Sequence, residues 1–209
     1  MKRLPQSFYA KDALDVAPQL LGKHLRRDHV VLRITEVEAY RWPGDSANHC
    51  YSGKVTARNA PMWGPPGHAY VYLCYGLHHL LNLVTNQEGE AAVVLVRACE
   101  LVKGEDVVRA RRGGLEGPVL LTGPGKVGAA LALNTSFSHH PLFSPGGLEV
   151  LEGDDVPASD MLVGPRVGIG YAKPADQRAP WRFAISGTPW VSQRGSLRPW
   201  RQRGERTAS

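Results

Sequence analysis

Short runs in which hydrophobic and polar residues alternate recur along the chain, and such alternation is typical of β-strands with one buried face. The pattern predicts strands at residues 29–40, 69–73, 80–85, 91–97, 163–170 and 181–185. The turn-forming sequence Cys74-Tyr75-Gly76-Leu77 separates two of these runs. Residues 69–85 are therefore predicted to form a β-hairpin with its turn at these four residues.

Apolar residues at helical spacing predict helices at residues 16–21, 105–112 and 126–133. Gly22 and the Gly113-Gly114 pair follow two of these segments, and glycine commonly ends a helix. The segment 41–66 is rich in Gly, Pro, Asn and Ser and is predicted to form a long surface loop. Long loops without secondary structure are uncommon unless they serve a site, so this loop is a candidate for function.

The chain has 209 residues, of which 43% are hydrophobic, and this is enough for one sizeable core. We expect a single domain over residues 1–193 and a C-terminal tail over residues 194–209. The tail carries five arginines and little that could be buried, which predicts a mobile segment. No apolar run reaches the roughly 20 residues that span a bilayer, and the first residues soon turn polar. A soluble, intracellular protein is therefore expected.

The net charge of the chain is +6, and most of its basic residues are arginines. The planar guanidinium group suits paired contacts with phosphate, so a polyanionic partner such as nucleic acid is indicated. The three cysteines are too widely spaced for a disulfide framework or a C-x-x-C metal motif, and buried thiols are expected. A zinc site that combines Cys50 with His49 or with the His78-His79 pair stays open as an alternative.

The run ITEVEAY, residues 34–40, places two carboxylates and a tyrosine close together. If the run is a strand, Ile34, Glu36, Glu38 and Tyr40 point to one face, because successive side chains alternate. With His49 in the following loop and the hairpin tyrosines, they could form an aromatic pocket with an acid at its base.

Two other functional classes fit the same residues. Glu36 and Glu38 would lie about 6.6 Å apart along the strand, which overlaps the separation of about 6.5–9.5 Å in inverting glycosidases. The positive charge argues against a carbohydrate enzyme, because neutral glycans need no such field. The alternative is a binding module that recognises nucleic-acid shape through the hairpin and the arginine-rich tail, without chemistry.

Several long motifs resemble those of the alkyladenine (3-methyladenine) DNA glycosylase family of base-excision repair. The motifs are SFYAKDALDVAPQLLGK, TEVEAYRWPGDSANH, TARN, MWGPPG, AYVYLCYG, LNLVT, VVLVRA, LTGPGKVGAALALN, RVGIGYA and RFAISGTPWVS. They follow one another over nearly the whole chain up to Ser192. The resemblance implies one mixed α/β (α+β) domain, in which a curved and largely antiparallel sheet carries flanking helices and a protruding β-hairpin.

The resemblance also implies a role for individual residues. Glu38 matches the general base that activates water, and Arg97 matches an arginine near that water. Tyr75 matches the residue at the hairpin tip that enters the minor groove and fills the gap left by an extruded nucleotide. No role follows for Glu36, which is expected to be a solvated or hydrogen-bonding second acid.

Four further residues match the walls of a base pocket in that family. Tyr40, His49 and Tyr72 match the side chains that sandwich the extruded base. Asn82 matches the residue that crowds the exocyclic amine of guanine.

The implied reaction is hydrolysis of the N-glycosidic bond of alkylated purines such as 3-methyladenine and 7-methylguanine, flipped out of double-stranded DNA. The product is an abasic site, and no lyase activity is expected because the motifs place no lysine or N-terminal proline for a Schiff base. A monomer that needs neither a metal nor another cofactor is expected, with damaged DNA as its partner.

Overall fold

The computed structural model describes residues 1–200 and contains one large antiparallel sheet. Its nine strands are β1 (His24–Arg27), β2 (Val30–Tyr40), β3 (Ala69–Cys74), β4 (His78–Thr85), β5 (Ala92–Lys103), β6 (Leu148–Leu151), β7 (Met161–Gly164), β8 (Arg182–Ile185) and β9 (Arg198–Pro199). They pair in the order β3-β4-β5-β2-β8-β7-β9, and β1 links β2 to β6. The mixed α/β class and the predicted hairpin are confirmed.

Five helices accompany the sheet: α1 (Gln6–Tyr9), α2 (Ala13–Leu20), α3 (Glu105–Arg111), α4 (Pro124–Ala130) and α5 (Pro174–Arg178). The side chain of Asp12 caps α2 by accepting a hydrogen bond from Leu14 N, and the buried face of this helix joins the main core beneath the sheet. No helix in residues 1–200 is long and apolar enough to cross a membrane.

The prediction that Ile34 shares a face of β2 with Glu36 and Glu38 is wrong. Ile34 is buried in the same core cluster as Val37 and Ala39, whereas Glu36 and Glu38 share a different environment. The cause is an irregular register against β5, where Ile34 is opposite Cys99 but Glu36 is opposite Ala98. A β-bulge of this kind inserts a residue and reverses which face the following side chains occupy.

The beginning of the predicted mobile tail is folded. The strand β9 pairs with β7, and the Trp200 ring packs edge-on against Phe183 with 5.9 Å between ring centroids. An aromatic side chain thus packs the end of residues 194–200 against the core, and the mobility of the tail stays a prediction. The rest of that tail, residues 201–209, lies outside the described residues.

The hairpin β3–β4 rests on α4 through two glycines. A β-carbon on Gly128 would lie 1.9 Å from the carbonyl oxygen of His79, and one on Gly125 would lie 2.8 Å from the ring of His78. These contacts let the helix backbone approach the strand. The two histidines therefore lie where α4 supports the outer end of the hairpin.

Candidate active site

Glu38 is completely buried, and each of its carboxylate oxygens has a donor. Oε2 accepts a hydrogen bond from Tyr40 Oη over 2.8 Å, and Oε1 accepts one from Val167 N over 2.7 Å. Arg97 Nη1 lies 3.3 Å from Oε1. Burial raises the pKa of Glu38 above its ordinary value, and the charge of Arg97 opposes this rise most strongly.

Glu36 is equally buried, but its carboxylate is fully engaged in the protein. Oε1 accepts hydrogen bonds from Arg97 Nε at 3.2 Å, Arg182 Nη1 at 3.0 Å and Ser192 Oγ at 3.0 Å. Oε2 accepts one from Ser192 N at 2.6 Å. Arg97 thus bridges the two acids, and the donors around Glu36 leave it as a structural carboxylate.

An aromatic pocket lies beside Glu38. Its lining consists of Tyr40, Ala47, His49, Met62, Tyr70, Tyr72, Asn82, Val93 and Tyr171. The rings of Tyr70 and Tyr72 stack with centroids 5.5 Å apart, and the His49 ring meets Tyr72 edge-on at 4.7 Å. The structure therefore brings all four residues expected for the base pocket to one place.

The sheet register explains why residues far apart in the sequence meet at this pocket. Tyr70, Asn82, Leu95, Glu38 and Arg182 are consecutive cross-strand partners on β3, β4, β5, β2 and β8. Directly opposed residues of neighbouring antiparallel strands lie about 4.5–5.5 Å apart. A single row across five strands therefore runs from the pocket wall to the buried acid.

The imidazole of His49 is neutral at physiological pH. Desolvation by the neighbouring rings, with a smaller effect of the charge of Arg58, lowers the pKa of His49 to about 4. Its Nδ1 lies 3.0 Å from Tyr70 Oη, in a hydrogen bond. The surroundings of Tyr40 keep its hydroxyl protonated, because burial and the charge of Glu38 raise the pKa of that hydroxyl. Tyr40 therefore acts as a hydrogen-bond donor to Glu38.

Tyr75 lies at the hairpin tip and not in the pocket lining. It is 89% exposed and has a positive φ of 51°. Leu73 and Leu77 on either side are also exposed, so the tip presents an apolar surface to solvent. Exposed apolar patches often mark interaction sites.

Several residues at the site are ones to which the sequence patterns assign no role. Tyr171 lines the pocket and donates a hydrogen bond to the carbonyl oxygen of Ala47 over 2.9 Å. Val167 holds Glu38, and the guanidinium of its neighbour Arg166 lies 4.6 Å from the centroid of the Tyr40 ring. These residues are more than 120 positions from the strand and loop they contact, and no spacing rule links them.

A metal site is not found at the pocket. Within residues 1–200, no group of three or more His, Cys, Asp or Glu side chains is arranged to hold a metal ion. The Cys50 thiol is buried and contacts Met62 Sδ over 3.7 Å, so it does not join His49 in a ligand set. The zinc alternative therefore has no support in this part of the chain.

Comparisons with known proteins give a consistent result. The sequence model described as methylpurine-DNA glycosylase matches residues 7–189. A relative from Nitrosococcus oceani, named a 3-methyladenine DNA glycosylase, is 62% identical over 199 residues, which are 95% of this chain and 98% of the relative. The DNA-3-methyladenine glycosylase of Arabidopsis thaliana is 59% identical over 202 residues, which are 95% of this chain and 78% of that protein.

Proposed function

The chain belongs to the methylpurine-DNA glycosylase family, and on this premise we propose that it is a DNA repair enzyme, a DNA-3-methyladenine glycosylase. It flips alkylated purines such as 3-methyladenine and 7-methylguanine out of duplex DNA and hydrolyses the N-glycosidic bond. The product is an abasic site. One observation carries the proposal: a buried carboxylate, Glu38, is hydrogen-bonded to Tyr40 of an aromatic pocket and has Arg97 as its cationic partner.

Glu38 is the general base in this mechanism. A carboxylate with a raised pKa takes a proton from water more readily than an ordinary one, and its negative charge stabilises the positive charge that develops on the sugar. Arg97 keeps the carboxylate oriented and limits how far its pKa rises. Because Tyr40 and Val167 also hold the carboxylate, its geometry is set before the substrate binds.

The aromatic pocket receives the flipped base. Extrusion of a nucleotide costs a few kcal/mol of unstacking, and stacking on an aromatic side chain returns roughly 1–3 kcal/mol per base. Tyr40, His49 and Tyr72 supply the stacking surfaces, and Asn82 lies at the wall where it crowds the exocyclic amine of guanine. Tyr75 enters the minor groove from the hairpin tip and fills the vacated space, as apolar side chains do in other kinked duplexes.

Alkylation at N3 or N7 makes a purine cationic, and this charge favours the damaged base in the pocket. A cation over a tyrosine face gains about 0.5–2 kcal/mol. The neutral His49 adds no repulsion, and the Glu38 carboxylate lies nearby. A cationic purine is also a good leaving group, so the site needs no strong general acid.

The pocket supports hydrolysis without a lyase step. None of the residues that line it within the described chain carries an amine that could form a Schiff base with the sugar. Water activated by Glu38 is then the nucleophile. Glu36 is held by two arginines and Ser192, which argues against the paired-carboxylate mechanism of a carbohydrate glycosidase.

Double-stranded DNA with alkylated purines is the proposed partner of a monomeric intracellular protein. The net charge of +6 and the arginine-rich composition suit a polyanion. Binding is expected to weaken with salt, with a log–log slope of about −0.9 for each phosphate contacted. A slope near zero would contradict a DNA substrate.

The direct test is release of free purines. Methylated duplex DNA is incubated with the protein, and the soluble fraction is separated by chromatography. The proposal predicts free 3-methyladenine and 7-methylguanine, with abasic sites in unbroken strands. Intact methylated bases would refute the enzyme activity, and strands broken at the abasic site would refute the monofunctional mechanism.

A further inference from the structure

Arg166 and Asp45 form an ion pair that is wholly buried beside the site. Arg166 Nη1 lies 2.6 Å from Asp45 Oδ2, and Nη2 lies 2.8 Å from Oδ1, so the contact is bidentate. The side chains of both residues are inaccessible to solvent. Replacing such pairs by apolar residues is often neutral or stabilising, so stability alone does not account for this one.

The pair joins three parts of the structure that form the site. Asp45 also accepts hydrogen bonds from Arg41 N at 3.2 Å and from Ala47 N at 3.0 Å, which fixes the start of the loop that lines the pocket. Arg166 donates a second bond from Nη1 to the carbonyl oxygen of Ala39 at 3.0 Å, at the end of β2. The pair therefore holds the pocket loop against the strand that carries the acid.

The residue after Arg166 contacts that acid. Val167 N donates to Glu38 Oε1 over 2.7 Å, and it is the single backbone donor to this carboxylate within residues 1–200. A backbone N–H cannot move independently of the residue that precedes it, because the two share a planar peptide group. The position of Arg166 therefore determines whether the N–H reaches Glu38.

We propose that Arg166, anchored by Asp45, is a positioning residue for the reaction: it holds the Val167 N–H on Glu38 and thereby sets the orientation and proton affinity of the catalytic base. The same anchor fixes the pocket loop, so one ion pair aligns the acid with the base-binding walls. The catalytic part of this assignment rests on the function proposed above.

The pKa of Glu38 distinguishes a positioning role of Arg166 from a merely structural one. The charged and titratable groups that face it are Arg97 from β5, Tyr40 and Glu36 from β2, and Arg166 and Tyr171 from the segment after β7. The Val167 N–H stabilises the ionised carboxylate, so its loss raises the pKa of Glu38. A residue with a merely structural role would change the folded fraction of the protein without changing this pKa.

The test uses Arg166→Lys, which keeps the charge but loses the bidentate contact with Asp45. Arg26→Lys is the matched control, because Arg26 pairs with Glu149 on β6, away from the site. The carboxyl carbon of Glu38 is followed by ¹³C NMR across pH in protein labelled at glutamate, and the Glu38→Gln spectrum identifies its signal.

We expect the Glu38 titration to move upward in Arg166→Lys, because the Val167 N–H no longer reaches the carboxylate, and not in Arg26→Lys. The acidic limb of the pH–rate profile for purine release should move in the same direction. At a pH well below this limb, the rate of release should fall about tenfold for each pH unit of the shift. An unchanged Glu38 titration in folded Arg166→Lys would overturn the proposal. If the Glu38 titration moves in Arg166→Lys but the wild-type protein releases no purine, the positioning role stands and the proposed function alone is refuted.

Discussion

Arg182 donates a hydrogen bond from Nη1 to Glu36 Oε1 over 3.0 Å, and both side chains are completely buried. This relationship separates the two neighbouring acids of β2 into different roles. Glu36 balances the charge of Arg97 and Arg182, whereas Glu38 pairs with Arg97 and accepts a hydrogen bond from Tyr40 of the pocket lining. The two acids lie close together because both pair with Arg97, which Glu36 holds in place beside Glu38.

Glu36→Gln is expected to destabilise the protein by about 3–5 kcal/mol, because it leaves the buried Arg182 without its counter-charge and Arg97 with Glu38 alone. Urea denaturation measures this change in the free energy of unfolding. Glu100→Gln is the control, because the Arg33–Glu100 pair is half-exposed and such pairs contribute about 0–1 kcal/mol. Similar losses for the two variants would contradict a structural role for Glu36.

Glu38→Gln is expected to stabilise the protein at neutral pH. Burial raises the pKa of Glu38, so the folded state holds a proton more tightly than the unfolded chain does. Stability therefore falls as pH rises from the ordinary carboxyl pKa of about 4.3 through the raised value, and glutamine removes this loss. The free energies of unfolding of the variant and wild type should converge as pH falls toward the ordinary value. A variant that is less stable than wild type at neutral pH would contradict the raised pKa.

Gly128→Ala is expected to destabilise the hairpin support. Alanine is favoured over glycine in a helix by about 1 kcal/mol, but its β-carbon would lie 1.9 Å from the His79 carbonyl oxygen, and backbone must move to relieve the clash. Gly195→Ala is the control, because nothing lies within 4 Å of an added β-carbon there. Thermal unfolding should show a lower Tm for Gly128→Ala than for Gly195→Ala, and equal values would refute the close contact.

Tyr75→Ala should slow excision from a stable duplex and affect an unpaired lesion much less. In the proposed mechanism the exposed tip residue stabilises the flipped state without touching the base. Its loss is then expected to lower the rate of excision about tenfold for each 1.4 kcal/mol of lost stabilisation. Tyr72→Ala is the comparison, because a pocket wall is needed wherever the base comes from and both substrates should suffer alike. Single-turnover excision from duplex and single-stranded DNA measures this. Equal losses for Tyr75→Ala on both substrates would place its function in the pocket.

The strands with clear alternation, such as β3 and β4, and the hairpin between them could be predicted from local sequence alone. The short strands β1 and β6 could not, because HLRR and LEVL are each four residues long and the first is mostly polar. The face on which Ile34 lies could not be predicted either, because the bulge after it depends on how β5 pairs with β2.

The candidate site divides in a similar way. The local sequence groups the acids and Tyr40 of one strand with His49 and the hairpin tyrosines, and the family resemblance adds Asn82 and Arg97. The bond from Val167 to Glu38 joins residues 129 positions apart, and only the folded chain reveals it. The hydrogen bonds that engage the Glu36 carboxylate could not be predicted for the same reason, since their donors Arg182 and Ser192 come from distant parts of the sequence.

The most direct test of the central claim is the single-turnover rate of purine release by Glu38→Gln from methylated duplex DNA, measured beside its affinity for the same DNA. Glutamine keeps the size of the side chain and removes its ability to accept a proton from water. We predict that release is abolished while affinity stays within a few-fold of wild type, and that Glu100→Gln retains wild-type values for both. A near-normal rate of release by Glu38→Gln would contradict the assignment of Glu38 as the general base.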